Sequence, residues 1–255
     1  MDFKNPFDFK NKVVIITGAG GTIGRDAAKG FAQCGANVVL ADLHPDTLLP
    51  VHEKIKDYGG EHLSLELDVT SLPSVKAMVG QVVEKYGKID FLLNHAGINN
   101  RKDIVEYTED EWDLMCDINL KGVFFVGQQV GIQMINQGHG KIVNTASVSA
   151  IRAKKKLSIY AATKGGVIQL TKAMAHEWAG LGLNVNAIGP GYVRSNQTES
   201  LFKDKAKYDE LIGKIPQGRF GETEDMVATM LFLCSDLSSY VNGQTIYVEG
   251  GRLVD

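Results

Sequence analysis

Cysteine is scarce in this chain. Only Cys34, Cys116 and Cys234 occur in 255 residues, far apart, with no CxxC pair and no histidine at ligand spacing. That pattern excludes a disulfide scaffold or a thiolate metal site, and the three read as reduced, mostly buried thiols. Proline is also sparse, at 6 residues, and there is no low-complexity tract, so nothing in the composition argues for disorder. No apolar run approaches the roughly 20 residues that cross a bilayer. Met1 to Asn11 alternates Phe with Asp, Lys and Asn and lacks the apolar stretch of a signal peptide. The expectation is a cytoplasmic protein that does not engage a membrane. A basic excess is missing as well: 27 Lys and Arg against 30 Asp and Glu leave a net charge of −3, which argues against nucleic acid as a partner. The length suits one domain, 1–255, with one large core.

What the chain does have is alternation. Short apolar runs, rich in β-branched residues, recur at Val13 to Ile16, Val38 to Leu40, Leu63 to Leu67, Phe91 to Leu93, Ile142-Val143, Val185 to Ile188 and Ile246 to Val248. Between them lie helical patterns. Val75, Met78, Val79, Val82, Val83 and Tyr86 follow a possible cap at Ser71, and Thr108 with Glu111 makes a capping-box pattern before Trp112 and Met115. Seven strands that are apolar on both faces and joined by helices predict a doubly wound α/β domain, a seven-stranded parallel sheet with helices on both faces. In such sheets ligands bind beyond the carboxyl ends of the strands.

The first strand runs into Thr17-Gly18-Ala19-Gly20-Gly21-Thr22-Ile23-Gly24 and then a helical pattern. A turn so poor in side chains admits pyrophosphate to the backbone, and the helix start offers unpaired N–H groups, although a tight turn without ligand has the same composition. Asp42 ends the second strand 18 residues after Gly24, near the offset of an acid that grips a ribose diol. Its charge repels the extra phosphate of NADP, and Leu43 beside it brings no cation, so NAD is expected over NADP. Arg25 is the one nearby cation that could reach a phosphate, and Asp42 could alternatively cap the helix after Pro45.

Tyr160 and Lys164 are four apart in a helical stripe containing Val167, Leu170, Thr171, Met174 and Trp178, so their side chains share a face. Lowering a tyrosine pKa from about 10 to about 7 takes roughly 4 kcal/mol of preferential phenolate stabilisation, which a nearby ammonium and a cationic ring could supply. By spacing alone the pair is equally that of two surface residues.

The ordered series Thr17-Gly18…Gly24, Asp42, Asp68-Val69, Asn94-His95-Ala96-Gly97, Asn119, Ser147, Tyr160…Lys164, Pro190-Gly191 and Val248-Glu249-Gly250-Gly251 resembles the short-chain dehydrogenases/reductases over nearly the whole chain. The resemblance implies a Rossmann-type NAD(P)-dependent oxidoreductase acting on CH-OH groups. In it Ser147 orients the substrate oxygen, Tyr160 exchanges the proton, Lys164 binds the nicotinamide ribose and depresses the tyrosine pKa, and Asn119 holds a water linking Lys164 to solvent. It also implies that Thr17, Gly18, Gly20, Gly21, Thr22, Ile23 and Gly24 cradle the pyrophosphate and that Asp68 and Val69 meet the adenine. Asn94, Ala96 and Gly97 border the cofactor, and Pro190, Gly191, Val193 and Ser195 flank the carboxamide. Two positions depart from the pattern: Thr22 stands in place of the second glycine, and His95 replaces an asparagine. A homotetramer is implied too, with the helix around Tyr160 and the strand from Gly243 to Gly250 at interfaces. Residue by residue, a cap at Ser147, a helix-bending polar group at Asn119 and a simple turn at Pro190-Gly191 remain open.

Arg152-Ala153-Lys154-Lys155-Lys156 and Asn99-Asn100-Arg101-Lys102 should open on the substrate side, a positive, amide-rich mouth on an acidic protein. Arg101, Arg152 and Asn196 are candidates to hold a small polyhydroxylated anion together with Ser147 and Tyr160. The stretches Tyr192 to Thr198 and Lys214 to Gly221 resemble the branch of the family that acts on sugar acids (gluconate 5-dehydrogenase, 2-deoxygluconate and 2-keto-3-deoxygluconate dehydrogenases), with a lid near 195–220. The alternatives are a 3-oxoacyl-carrier-protein reductase or general carbonyl reductase, and a dinucleotide-sensing or scaffold protein. No metal site is expected.

Overall fold

The apolar runs become seven strands, of which the inner five are largely buried on both faces. In the computed structural model, which describes residues 5–194 and 205–254, these are β1 (Val13–Thr17), β2 (Asn37–Asp42), β3 (Leu63–Glu66), β4 (Phe91–Asn94), β5 (Gly140–Thr145), β6 (Leu183–Pro190) and β7 (Thr245–Val248). They form one sheet in the order β3-β2-β1-β4-β5-β6-β7, with every pair parallel. The central strand β1 shows how the faces divide. Val14 and Ile16 enter one core with Phe31 of α1 (Thr22–Gln33) and Met226 and Met230 of α8 (Thr223–Cys234). Val13 and Ile15 enter the other with Met78 of α3 (Leu72–Tyr86), Val126 and Val130 of α5 (Val123–Gln137) and Met174 of α6 (Ser158–Trp178). Burial on both faces is what a parallel sheet requires.

Local signals set the helix boundaries. Ser71 accepts from Ser74 N at 3.4 Å and starts α3, which stops at Gly87 with φ of 73°. A reciprocal capping box between Thr108 and Glu111 starts α4 (Glu109–Cys116). Here the structure adds something that periodicity does not show. The helix after Trp112 widens into a π-turn over Asp117–Gly122 before α5 begins, and Asn119 sits inside it. Among the described residues the remaining α-helices are the short α2 (Leu49–Ile55) and α7 (Lys205–Ile212). Leu211, just inside the end of α7, forms a small satellite core with Ile215, Phe220 and Tyr192. Among the described residues no helix is long and apolar enough to cross a membrane.

The strand order reverses between β1 and β4, so their carboxyl ends diverge and open a crevice at that point. The residues beyond β1, β2, β4, β5 and β6 all meet there.

Candidate active site

A cavity of about 710 Å³ occupies this crevice. Gly18, Gly20, Gly21, Thr22, Ile23, Asp42, Leu43, Asp68, Val69, Ala96, Gly97, Ser147, Tyr160, Lys164, Pro190, Gly191 and Val193 all line it. Residues as distant in sequence as Gly18 and Val193 are thus brought onto one surface.

The turn after β1 fits a dinucleotide pyrophosphate. Gly21 caps α1 without any side-chain hydrogen bond and no acidic residue lies in the first turn, so the helix start keeps its positive end. Gly18 has φ of 68°, and a Cβ there would lie 3.0 Å from Ala96 Cα. A Cβ on Gly24 would run into the Gly18 carbonyl oxygen, so this glycine lets the helix pack on the turn. Thr22 lines the cavity in the place of the family's second glycine.

Asp42 stands at the far end of the turn. Its Oδ2 accepts the Gly20 N–H at 3.0 Å and its Oδ1 the His44 N–H at 3.3 Å. It does not cap a helix: the single turn Pro45–Thr47 is preceded by His44. Arg25 also lines the cavity, its Nε directed to the Gly21 carbonyl at 3.4 Å.

At the other end lie Ser147, Tyr160 and Lys164, delivered by the loop after β5 and the first turns of α6. Ser147 Oγ accepts the Ser149 N–H at 3.1 Å and so caps a short turn, as one reading of its sequence allowed. That contact leaves the hydroxyl proton free to be donated elsewhere. Lys164 is 3% exposed and donates Nζ to the Thr145 carbonyl at 2.7 Å. Burial lowers its pKa to about 8. Its Nζ lies 5.8 Å from the Tyr160 ring centroid.

Burial raises the Tyr160 pKa above its ordinary value, and the groups that pull it back are the Ser147 hydroxyl and the Arg101 charge, not Lys164.

Four other residues serve the site from behind or beside it. Thr17 does not line the cavity; its Oγ1 accepts the N–H groups of His95 and Ala96 at 3.0 Å each and so ties the ends of β1 and β4 together. Asn94, expected at the cofactor border, is 1% exposed and turned inward, donating Nδ2 to Val123 O at 2.8 Å and to Asn144 Oδ1 at 3.2 Å. Asn119 is fully buried, and its amide makes a two-way pair with the Ile98 backbone, accepting its N–H and donating to its carbonyl at 2.8 Å each. It therefore clamps the strand-end loop to the π-turn. Arg152 is likewise engaged, donating Nη1 to the main-chain carbonyl of Arg252 rather than standing free at the mouth.

Two cations of the expected mouth are paired with carboxylates. Lys102 pairs with Glu111, and Lys156 with Asp103 at 3.1 Å. Arg101 remains exposed, with its charge acting on Tyr160. Ser195 and Asn196 lie outside the described residues.

Sequence reasoning missed Thr145, Ile98 and the role of His95. The His95 ring, in the asparagine's place, lines the cavity, meets Thr145 Oγ1 at 2.9 Å and is kept neutral by burial and by Lys164, its pKa pushed down to about 4. The signal for Thr145 was its position at the end of an apolar strand, but the group that matters is its carbonyl, which every residue carries. Among the described residues no three His, Cys, Asp or Glu side chains converge as a metal site would require.

A glycine turn at the switch point of a parallel sheet, facing a Ser, Tyr and Lys set on the neighbouring strand and helix, defines a nucleotide-dependent oxidoreductase, and the chain belongs to the short-chain dehydrogenases/reductases. A family model described as Enoyl-(Acyl carrier protein) reductase matches residues 18–252. A 2-dehydro-3-deoxy-D-gluconate 5-dehydrogenase of Dickeya dadantii (strain 3937) is 39% identical over 251 residues, covering 98% of each chain. A 3-oxoacyl-[acyl-carrier-protein] reductase of Thermotoga maritima is 41% identical over 245 residues, covering 96% of this chain and 99% of the relative. Among solved structures, a gluconate 5-dehydrogenase from Burkholderia cenocepacia J2315 in complex with NADP and tartrate superposes with a TM-score of 0.94 at 35% identity, covering 98% of both chains.

Proposed function

We propose that this protein is an NAD-dependent dehydrogenase that interconverts a secondary alcohol and a ketone on a sugar acid. The observation that carries the reaction type is the enclosure of Ser147, Tyr160 and Lys164 in the same cavity as the glycine turn. A bound nicotinamide dinucleotide supplies the hydride chemistry. The chain's own residues do the rest. Ser147, with its Oγ fixed by the Ser149 N–H, donates its hydroxyl proton to the substrate oxygen and orients it. Tyr160 exchanges the proton with that oxygen. Lys164, anchored on Thr145, offers its remaining donors to the ribose hydroxyls and to the neighbourhood of the phenol.

NAD is favoured by Asp42. Its carboxylate is held at the cavity edge by the Gly20 and His44 amides, positioned to accept from two ribose hydroxyls and to repel a phosphate in their place. Leu43 beside it offers no cation. Arg25 is the residue through which NADP would be accommodated, and the solved relative named above is in complex with NADP.

A sugar acid is favoured by Arg101, an exposed cation whose field reaches Tyr160, and by the amide-rich loop it shares with Asn99, whose Oδ1 is buried without a hydrogen-bond partner. The dehydrogenases of gluconate type among the relatives support the same class. Residues 205–220, packed on Tyr192 through Leu211 and Phe220, serve as the described part of a substrate lid. A second reading, reduction of a 3-oxoacyl thioester, rests on the 41% identical reductase.

The deciding experiment compares NAD with NADP over a panel of aldonic and 2-keto-3-deoxy sugar acids and a 3-oxoacyl thioester, with Tyr160→Phe as control. Turnover of a sugar acid with NAD, abolished in Tyr160→Phe, is expected. Preference for the thioester with NADPH would select the second reading, and full activity of Tyr160→Phe would sink the proposed chemistry.

A further inference from the structure

Arg252 follows the two left-handed glycines Gly250 and Gly251 that come after β7. It is only 9% exposed, its guanidinium carbon stacked 4.5 Å from the Tyr192 ring centroid. Its Nε is buried and has no hydrogen-bond partner among the described residues. Glu249, the acidic residue just before the glycine pair, is otherwise engaged, its Oε2 accepting the Leu253 N–H at 2.9 Å. Buried polar groups are nearly always bonded, and a guanidinium cannot shed its charge to escape the cost of burial. An orphaned donor on a stacked, pre-oriented guanidinium therefore marks a position where an acceptor from outside the chain belongs.

The surroundings say what kind. Lys154 donates Nζ to the Tyr192 hydroxyl and lies 4.1 Å from the centroid of the same ring. Arg152 holds the Arg252 carbonyl and so fixes the backbone from which the guanidinium projects. Two cations on one aromatic face-and-edge system create a local positive field, and the planar fork of arginine suits a carboxylate. The group lies next to the cavity without lining it: Tyr192 stands in the chain between Gly191 and Val193, which do line it, and Lys154 belongs to the loop joining Ser147 to Tyr160.

We propose that Arg252, seated on Tyr192 and reinforced by Lys154, binds the carboxylate of the substrate beside the cavity wall formed by Gly191 and Val193. This rests on the sugar-acid reading above and names the residue that holds the acid group, with Arg101 left to act near the reacting oxygen.

Calorimetric titration of D-gluconate into protein saturated with NADH, or with NADPH if that is the cofactor bound, tests it, with D-sorbitol and sodium sulfate as comparisons. Wild type should bind gluconate and not the uncharged sorbitol. Arg252→Gln should weaken gluconate at least tenfold, Lys154→Gln at least threefold, and Arg252→Lys should recover part of the loss. Circular dichroism and the thermal melting curve check that each variant is folded, and Lys154→Gln carries the test if Arg252→Gln is not. Unchanged gluconate affinity in folded Arg252→Gln, or in Lys154→Gln should it stand alone, overturns the proposal. Loss of sulfate binding with gluconate retained also overturns it, by showing a separate anion site. Failure of wild type to bind gluconate overturns both this assignment and the sugar-acid reading. Gluconate binding that depends on Arg252 but leads to no oxidation of any sugar acid supports the anion site and refutes only the reaction.

Discussion

Lys164 donates its Nζ to the carbonyl of Thr145 at 2.7 Å, a contact that joins the catalytic face of α6 to the end of β5. The ammonium is thus fixed by a backbone group, and its position is independent of the Tyr160 rotamer. Burial lowers its pKa to about 8, so at neutral pH the folded protein carries a buried cation whose cost falls as the proton leaves. Because the unfolded lysine keeps its proton until about pH 10.4, stability gains with rising pH between about 8 and that value. A lysine-selective NMR titration should show one side chain with a midpoint near pH 8 that is missing from Lys164→Met, and Lys164→Met should lose the alkaline gain in melting temperature.

Arg101 lowers the pKa of a tyrosine that burial raises. Removing the charge in Arg101→Gln should move the Tyr160 phenol further up. The pH profile of kcat/KM for alcohol oxidation, which reports the free enzyme's base, should then shift to higher pH. An unchanged profile with a raised KM would assign Arg101 to substrate binding alone.

Asp42→Ala should reduce kcat/KM with NAD at least tenfold, since two charge-assisted hydrogen bonds to the ribose are each worth about 1.5–3 kcal/mol. The same change should improve NADP, because the repulsion goes with the carboxylate. Steady-state kinetics with both cofactors measure the switch.

Two glycine substitutions should act in opposite directions. A Cβ on Gly24 meets the Gly18 carbonyl oxygen and, at 2.9 Å, Ala19 Cα, both backbone atoms that cannot swing aside, so Gly24→Ala should cost about 1–3 kcal/mol and weaken cofactor binding. Gly80, exposed within α3, has open space where an added methyl would sit, with no heavy atom within 4 Å. Gly80→Ala should stabilise by about 0.5–1 kcal/mol with no effect on turnover. Chemical denaturation and cofactor titration separate the two.

Asp90, buried immediately before β4, accepts the Val13 N–H at 2.9 Å and pairs with Lys88 at 2.9 Å and Lys12 at 3.1 Å. Burial pushes its carboxyl up, but the Val13 amide and the two lysines outweigh it and hold the pKa below the usual range. The stabilisation is complete above the unfolded carboxyl's pKa and is lost as pH falls through the lower folded value. Asp90→Asn should therefore melt earlier than wild type at pH 7, and the gap should narrow in acid.

Much of this was legible along the chain because the signals are local. Apolar runs, the Ser71 cap, the Thr108 and Glu111 box, the placement of glycines, Asp42 and Ser147 at strand ends and that of Tyr160 on a helix follow from backbone geometry and spacing, and the sheet brought those residues to one cavity as parallel order demands. The inward hydrogen bonds of Asn94 and Thr17 were not legible, since whether a side chain at a strand end faces the crevice or the next strand depends on partners 29 to 79 residues away.

Order along the chain therefore sufficed for the architecture, the family and the set of residues that gather at the cavity. The states of those groups came only with the packed fold: the raised Tyr160, the lowered Lys164, the π-turn that hands Asn119 to Ile98, and the stacking of Arg252 on Tyr192. Periodicity and capping are set by neighbours in the chain, whereas desolvation and the field at a buried atom are summed over everything packed around it, wherever in the sequence it comes from.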